Sequence, residues 1–102
     1  MARNYNTNEV GDAWTHSEKV AVWNKGRIIP NFSSDTWRWD KCGKVMKWSE
    51  HGNRNSDNGW EIDHINPIAN GGDDNFNNLQ PLHWKNNLDK GDKLNWSCPN
   101  PK

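Results

Sequence analysis

The sequence predicts a small single α+β domain in which a short helix and a β-hairpin precede a strand, a turn-rich loop, a second strand and a closing helix. Three observations carry this reading. The chain has 102 residues, 31% of them hydrophobic, enough for one modest core and no second domain. Trp60 to Ile65 alternates as a strand does, with Trp60 and Ile62 on one face and Glu61 and Asp63 on the other. His83 to Lys90 reads as a helix that stops at Gly91.

Residues 1–13 are polar, Asn-rich and without periodicity, so they read as a flexible N-terminal arm. The folded unit then spans 14–98, with its chemical core at 60–91, and 99–102 form a tail. Thr15 and Glu18 have the spacing of a capping box, and the helix they open stops at Lys25-Gly26. Ile28-Ile29-Pro30 starts an irregular connection. Trp37 to Asp40 and Lys44 to Trp48 flank a turn at Cys42-Gly43, which predicts a hairpin whose basic side chains alternate outward. Ser49 to Gly59 is a loop rich in Gly, Asn, Ser and Asp.

Regular pleating sends Asp63 and His64 to opposite sides of their strand, so for both to serve one site the strand must end or bend there. Pro67 to Asn75, containing Gly71-Gly72, is a turn-rich linker, and Leu79 to Leu82 gives the partner strand. On the closing helix Trp84 and Leu88 share one face, expected to be buried. His83, Asn87 and Lys90, at i, i+4 and i+7, share another, expected to be the chemical one. So few aliphatics require another source of core, and the eight tryptophans supply it.

Formal net charge is zero, but the charge is segregated. From Lys19 to Arg54 eight basic residues oppose three acidic ones, a balance of +5; from Asp57 to Asp74 five acids and no base give −5. A basic lobe for phosphates beside an acidic lobe for a divalent cation accounts for this pattern. Cys42 and Cys98 cannot make a CxxC pair or a four-cysteine zinc site and read as a free, partly buried thiol pair, with a bond between the two left open. The N-terminal residues have no apolar h-region and no stretch approaches transmembrane length, so a soluble cytoplasmic protein is the default expectation, with export by a route needing no cleavable signal left open.

The chemistry is concentrated in Trp60–Lys90. Asp63-His64 precedes the Gly71-Gly72 turn, then come Asn78-Leu79 with Pro81-Leu82, and Asn87 with Lys90. A carboxylate beside an imidazole, with a second oxygen ligand returning from a helix, is what one-metal phosphodiester hydrolysis needs. Each residue alone is commonplace in a chain with 17 Asn; the ordered set is not. His16 and His51 lack such a context and read as surface residues.

This ordered set resembles the ββα-metal motif of the HNH endonuclease family, and the similarity extends upstream to Trp23. Two departures stand out. Asn87 occupies the third signature position where the family name expects His, the H-N-N variant, and the paired CxxC zinc knuckles that brace many relatives are absent. The resemblance implies a metal-dependent endonuclease that hydrolyses DNA phosphodiester bonds by a single-metal mechanism, leaving 5′-phosphate and 3′-hydroxyl ends. It implies His64 as general base, Asp63 and Asn87 as ligands of Mg²⁺ or Mn²⁺ with Ni²⁺ or Zn²⁺ as softer alternatives, and Asn78 as a hydrogen-bonding brace across the Asp63-His64 turn. Lys90 is expected at a flanking phosphate, and Arg38, Lys41, Lys44 and Lys47 at DNA.

His83 and Asn87 lie one turn apart and either could face Asp63. Register favours Asn87, and His83 falls where many relatives carry the first zinc cysteine of the helix. Duplex DNA is the expected partner, with no membrane and with an immunity or partner protein left open. Two other classes compete: a DNA-binding module that keeps the fold without turnover, and an interaction domain with structural zinc held by His83, Cys42 and Cys98.

Overall fold

Thr15 opens the first helix as its spacing predicts. In the computed structural model, which describes residues 6–99, Thr15 Oγ1 accepts the Glu18 N–H at 3.1 Å and Glu18 Oε1 accepts the Thr15 N–H at 2.8 Å. Helix α1 runs His16–Trp23 and closes at Asn24. Strands β1 (Arg27–Ile28), β2 (Trp37–Trp39) and β3 (Val45–Lys47) form an antiparallel sheet in that order. The hairpin is as expected, but Ile28, expected in an irregular connection, joins Arg27 in a third strand that pairs with Arg38 and Trp39.

Strand β4 (Trp60–His64) pairs antiparallel with β5 (Leu79–His83), and helix α2 (Trp84–Lys90) follows directly. Pro81 is tolerated in β5 because it lies opposite Ile62, whose N–H points out of the pair to Asn6 Oδ1, so the position of its missing N–H also faces outward. The expected arm falls partly outside the described residues; within them, Asn6 Oδ1 accepts the Ile62 N–H at 2.9 Å.

All five residues of β4 are buried, because both of its faces are covered. Trp60 and Ile62 join Trp14, Val22, Trp23, Met46 and Leu79 in the core, with Trp48 packed against it. The indoles of Trp23, Trp48 and Trp60 meet edge to face or tilted at 5.1 to 5.7 Å. The other tryptophans are half-buried. Trp37, Trp39 and Trp84 carry Lys47, Arg27 and Lys85 over their rings, and Trp96 donates to Asp89.

The opposite face of β4 presents Glu61 and Asp63 to α2, and this reverses the helix reading. Leu88 is 60% exposed, whereas Asn86 and Lys90 are buried. The buried stripe of α2 is polar because the strand face beneath it is anionic. Arg38 departs likewise from its expected outward position. It is buried, and its guanidinium donates to the carbonyls of Ser34, Asn24 and Gly26 at 3.0 to 3.1 Å.

The two cysteines, whose pairing the sequence leaves open, are bonded to each other. The chain beyond α2 folds back to the β2–β3 turn, a proximity that 56 residues of separation conceal. Asp40, fully buried, closes the same turn: Oδ1 accepts the N–H groups of Cys42 and Lys44 at 2.9 and 3.0 Å. Its Oδ2 reaches across to α2 and accepts from the His83 N–H at 3.0 Å and the Asn86 amide at 2.8 Å.

Candidate active site

The register of β4 on β5 sets Gln80 opposite Asp63, and Gln80 Nε2 donates to Asp63 Oδ2 at 2.8 Å. The other carboxylate oxygen lies 3.3 Å from the Lys90 ammonium. Burial pushes the Asp63 carboxyl above its ordinary range, and Gln80 and Lys90 pull against that shift. Lys90, only 2% exposed, also donates to the His64 carbonyl at 3.0 Å. Its expected place at a flanking phosphate is therefore corrected: it braces the end of β4 from inside.

His64 leaves β4 on the other side, as pleating requires. Its ring packs 5.6 Å from that of Trp14, and Nε2 lies 2.8 Å from Asp74 Oδ1. Nδ1 has no hydrogen-bond partner among the described residues. Asp63 and His64 thus share the strand end but not their side-chain contacts.

Asn78 binds the loop that follows rather than the imidazole itself. Its Oδ1 accepts the Asn66 N–H at 2.7 Å, its Nδ2 donates to the carbonyls of Asn66 and Asp73 at 3.1 and 2.8 Å, and its own carbonyl accepts the Ile65 N–H at 2.8 Å. Gly72 is required there because a Cβ would sit 1.8 Å from the Asn66 oxygen. Gly71, at φ +89°, turns the chain into it.

Asn87 faces the buried acid of β4 one pleat before Asp63. Its Nδ2 donates to Glu61 Oε1 at 2.7 Å, and Arg54 grips the same carboxylate with Nε and Nη2 at 2.7 and 2.9 Å. The Asn87 amide oxygen has no hydrogen-bond partner among the described residues. His83 caps α2 instead: Nδ1 accepts the Lys85 N–H at 3.1 Å and Nε2 lies 2.6 Å from the Asp57 carbonyl. Both ring nitrogens are engaged, and burial lowers its pKa while the Asp57 carbonyl raises it.

Lys41 and Lys44 are exposed on the β2–β3 turn. Lys41 also lines an open cleft of about 410 Å³ with Lys25, Arg27, Gln80 and Pro81, so the cations reach the strand that braces Asp63. His51, expected at the surface, is half-buried. Its ring lies 4.7 Å from Trp60, and burial with Lys19 nearby depresses its pKa to about 4 against an opposing pull from Glu61.

Sequence reasoning missed Gln80, Arg54, Asp74 and the role of Glu61. Only Glu61 carried a local signal, its shared strand face with Asp63. No group of three or more His, Cys, Asp or Glu poised for a metal occurs among the described residues, and the disulfide takes both thiols from the structural-zinc alternative. Asp63 and Asn87 offer hard oxygens, a donor set suited to a hard divalent cation.

The model of the HNH endonuclease family matches residues 40–93. Neither the curated proteins nor the solved structures compared give a match.

Proposed function

The chain belongs to the HNH endonuclease family, whose model covers residues 40–93 of its 102, and from that premise we propose that it is a metal-dependent endonuclease hydrolysing DNA phosphodiester bonds. The observation that carries the reading is the pairing, at one strand end, of a buried carboxylate braced by Gln80 and Lys90 with an imidazole whose Nδ1 has no hydrogen-bond partner among the described residues.

Asp63 and Asn87 would hold the cation. A buried carboxylate whose charged form burial disfavours gains from a nearby positive charge. Mg²⁺ or Mn²⁺ bound there would supply Lewis-acid stabilisation of charge on the leaving 3′ oxygen, and Ni²⁺ or Zn²⁺ fits an oxygen set less well. His64 takes a proton from the attacking water, whose oxygen bonds to phosphorus. The P–O3′ bond breaks, and the leaving oxygen takes a proton from solvent, giving 5′-phosphate and 3′-hydroxyl ends. Asn78 keeps the loop after His64 in place, and Lys41, Lys44 and Lys47 hold the DNA backbone.

A DNA-binding module without turnover is the second reading. It draws on the Lys90 ammonium 3.3 Å from the carboxylate that would hold the cation. Nicking of supercoiled plasmid, with Mg²⁺ and with chelator, separates the two. Metal-dependent nicking supports the endonuclease, and binding without nicking supports the module.

Disulfides persist in oxidising compartments and are reduced in the cytosol. The Cys42–Cys98 bond therefore favours action in an oxidising environment over the cytoplasm expected from the sequence. No helix among the described residues is long and apolar enough to cross a membrane.

A further inference from the structure

We infer that Asp74 is the positioning residue of His64, and that the N-terminal segment fixes Asp74 in that task through Glu9. The inference rests on the reading of His64 as general base and deepens it by naming which nitrogen accepts the proton.

Asp74 Oδ1 lies 2.8 Å from His64 Nε2. An ionised carboxylate can only accept hydrogen bonds, so in the neutral ring the proton belongs on Nε2 and the basic lone pair on Nδ1. That nitrogen is the one without a partner among the described residues. Trp14 packs on the imidazole from its own side, 5.6 Å centroid to centroid, so the ring is held between an indole and a carboxylate. When Nδ1 takes the proton of the attacking water, the imidazolium that forms is paired at once with Asp74. The arrangement orients the base, selects its tautomer and stabilises its charged product.

Asp74 sits on the loop that leaves the Gly71-Gly72 turn, where a carboxylate would ordinarily choose among rotamers. Two contacts remove that choice. The Glu9 N–H donates to both Asp74 oxygens, at 3.0 and 3.1 Å, and the Asp74 N–H donates back to Glu9 Oε1 at 3.0 Å. Beside it, Asn78 Nδ2 holds the Asp73 carbonyl at 2.8 Å. The loop is thus pinned by a segment 65 residues away in sequence, and the chain before α1 becomes part of the catalytic apparatus.

The test combines kinetics with the nitrogen spectrum of His64. In Asp74→Asn the amide can donate to Nε2 and favour the opposite tautomer. The expected result is a fall in kcat of about ten- to a hundred-fold, with DNA affinity and thermal midpoint unchanged. Asp74→Glu should recover part of the rate, and Glu9→Ala should lower it less than Asp74→Asn does. In the parental protein, long-range ¹H–¹⁵N correlations of the neutral ring should show the proton on Nε2, and Asp74→Asn should move it toward Nδ1. A parental ring protonated on Nδ1 overturns the inference whether or not the variants fold, and so does parental kcat in a folded Asp74→Asn. If His64→Ala is inactive while Asp74→Asn is fully active, only this inference falls. Undiminished cleavage by His64→Ala overturns the base assignment itself.

Discussion

Asp40 Oδ2 accepts the main-chain N–H of His83 at 3.0 Å, joining the β2–β3 turn to the start of α2. Here one buried carboxylate gathers four N–H donors, two from its own turn and two from His83 and Asn86. Charge-assisted bonds of this kind contribute about 1.5–3 kcal/mol each.

Asp40→Ala should therefore destabilise the fold by about 3–5 kcal/mol, the scale of breaking a buried charged network, seen as a loss of most of its urea midpoint. Chelator should leave the parental protein folded, lowering its thermal midpoint by no more than the loss of the cation at Asp63 accounts for. Unfolding by chelator would mean that a structural metal does this work.

Burial raises the Asp63 carboxyl above its ordinary range, so the native state binds a proton there at a pH where the unfolded chain has released it. The sign follows by linkage: this residue's contribution to stability is fully present below its unfolded value of 3.8 and is lost as pH rises through the raised native one. Asp63→Asn should remove that loss. In chelator-treated protein, denaturation across the acidic range should show the variant gaining on the parent as pH rises; in Mg²⁺ the variant's cleavage should be abolished. A gain in the opposite sense would contradict the burial argument.

The proposed ligand of α2 and the residue that caps it should separate in their effects. Asn87→Ala should abolish Mg²⁺-supported cleavage, and Asn87→His should recover some activity with softer ions such as Mn²⁺ or Ni²⁺. His83→Ala leaves the Lys85 N–H and Asp57 carbonyl without partners, so it should cost about 1–3 kcal/mol of stability and spare the rate of the folded fraction. Loss of cleavage in a folded His83→Ala with Asn87→Ala active would exchange the two roles.

DNA affinity should fall steeply with salt, with a slope of roughly −0.9 per neutralised phosphate on a log–log plot. Replacing Lys44 and Lys47 by Glu should weaken binding to unrelated sequences alike. Arg38→Ala, by contrast, should lower stability, because its donors hold the carbonyls of Asn24, Gly26 and Ser34. Salt-independent affinity would move the DNA to another surface.

Local patterns were legible where one segment decides its own structure. The Thr15–Glu18 box, the Cys42-Gly43 turn, the alternation of β4 and the stop at Gly91 all read directly from neighbours along the chain. Long-range pairing was not. Asp74 and Glu9 meet across 65 residues, Asp40 and His83 across 43, and Cys42 and Cys98 across 56; no periodicity encodes such distances. Hydrophobicity does not mark the inward face of α2, because Lys90 and Asn86 are drawn in by the acids of β4 and by Asp40, and Leu88 is left in water. Arg38 follows the same rule: the carbonyls of Asn24 and Gly26 draw its guanidinium inward.

The most direct test of the endonuclease reading is the single-turnover rate of DNA cleavage by His64→Ala at saturating Mg²⁺, measured beside its DNA affinity. Loss of a general base costs about a hundred- to ten-thousand-fold in rate, so the expected result is a fall of that size with affinity almost unchanged. Cleavage by the alanine variant at the parental rate would contradict it.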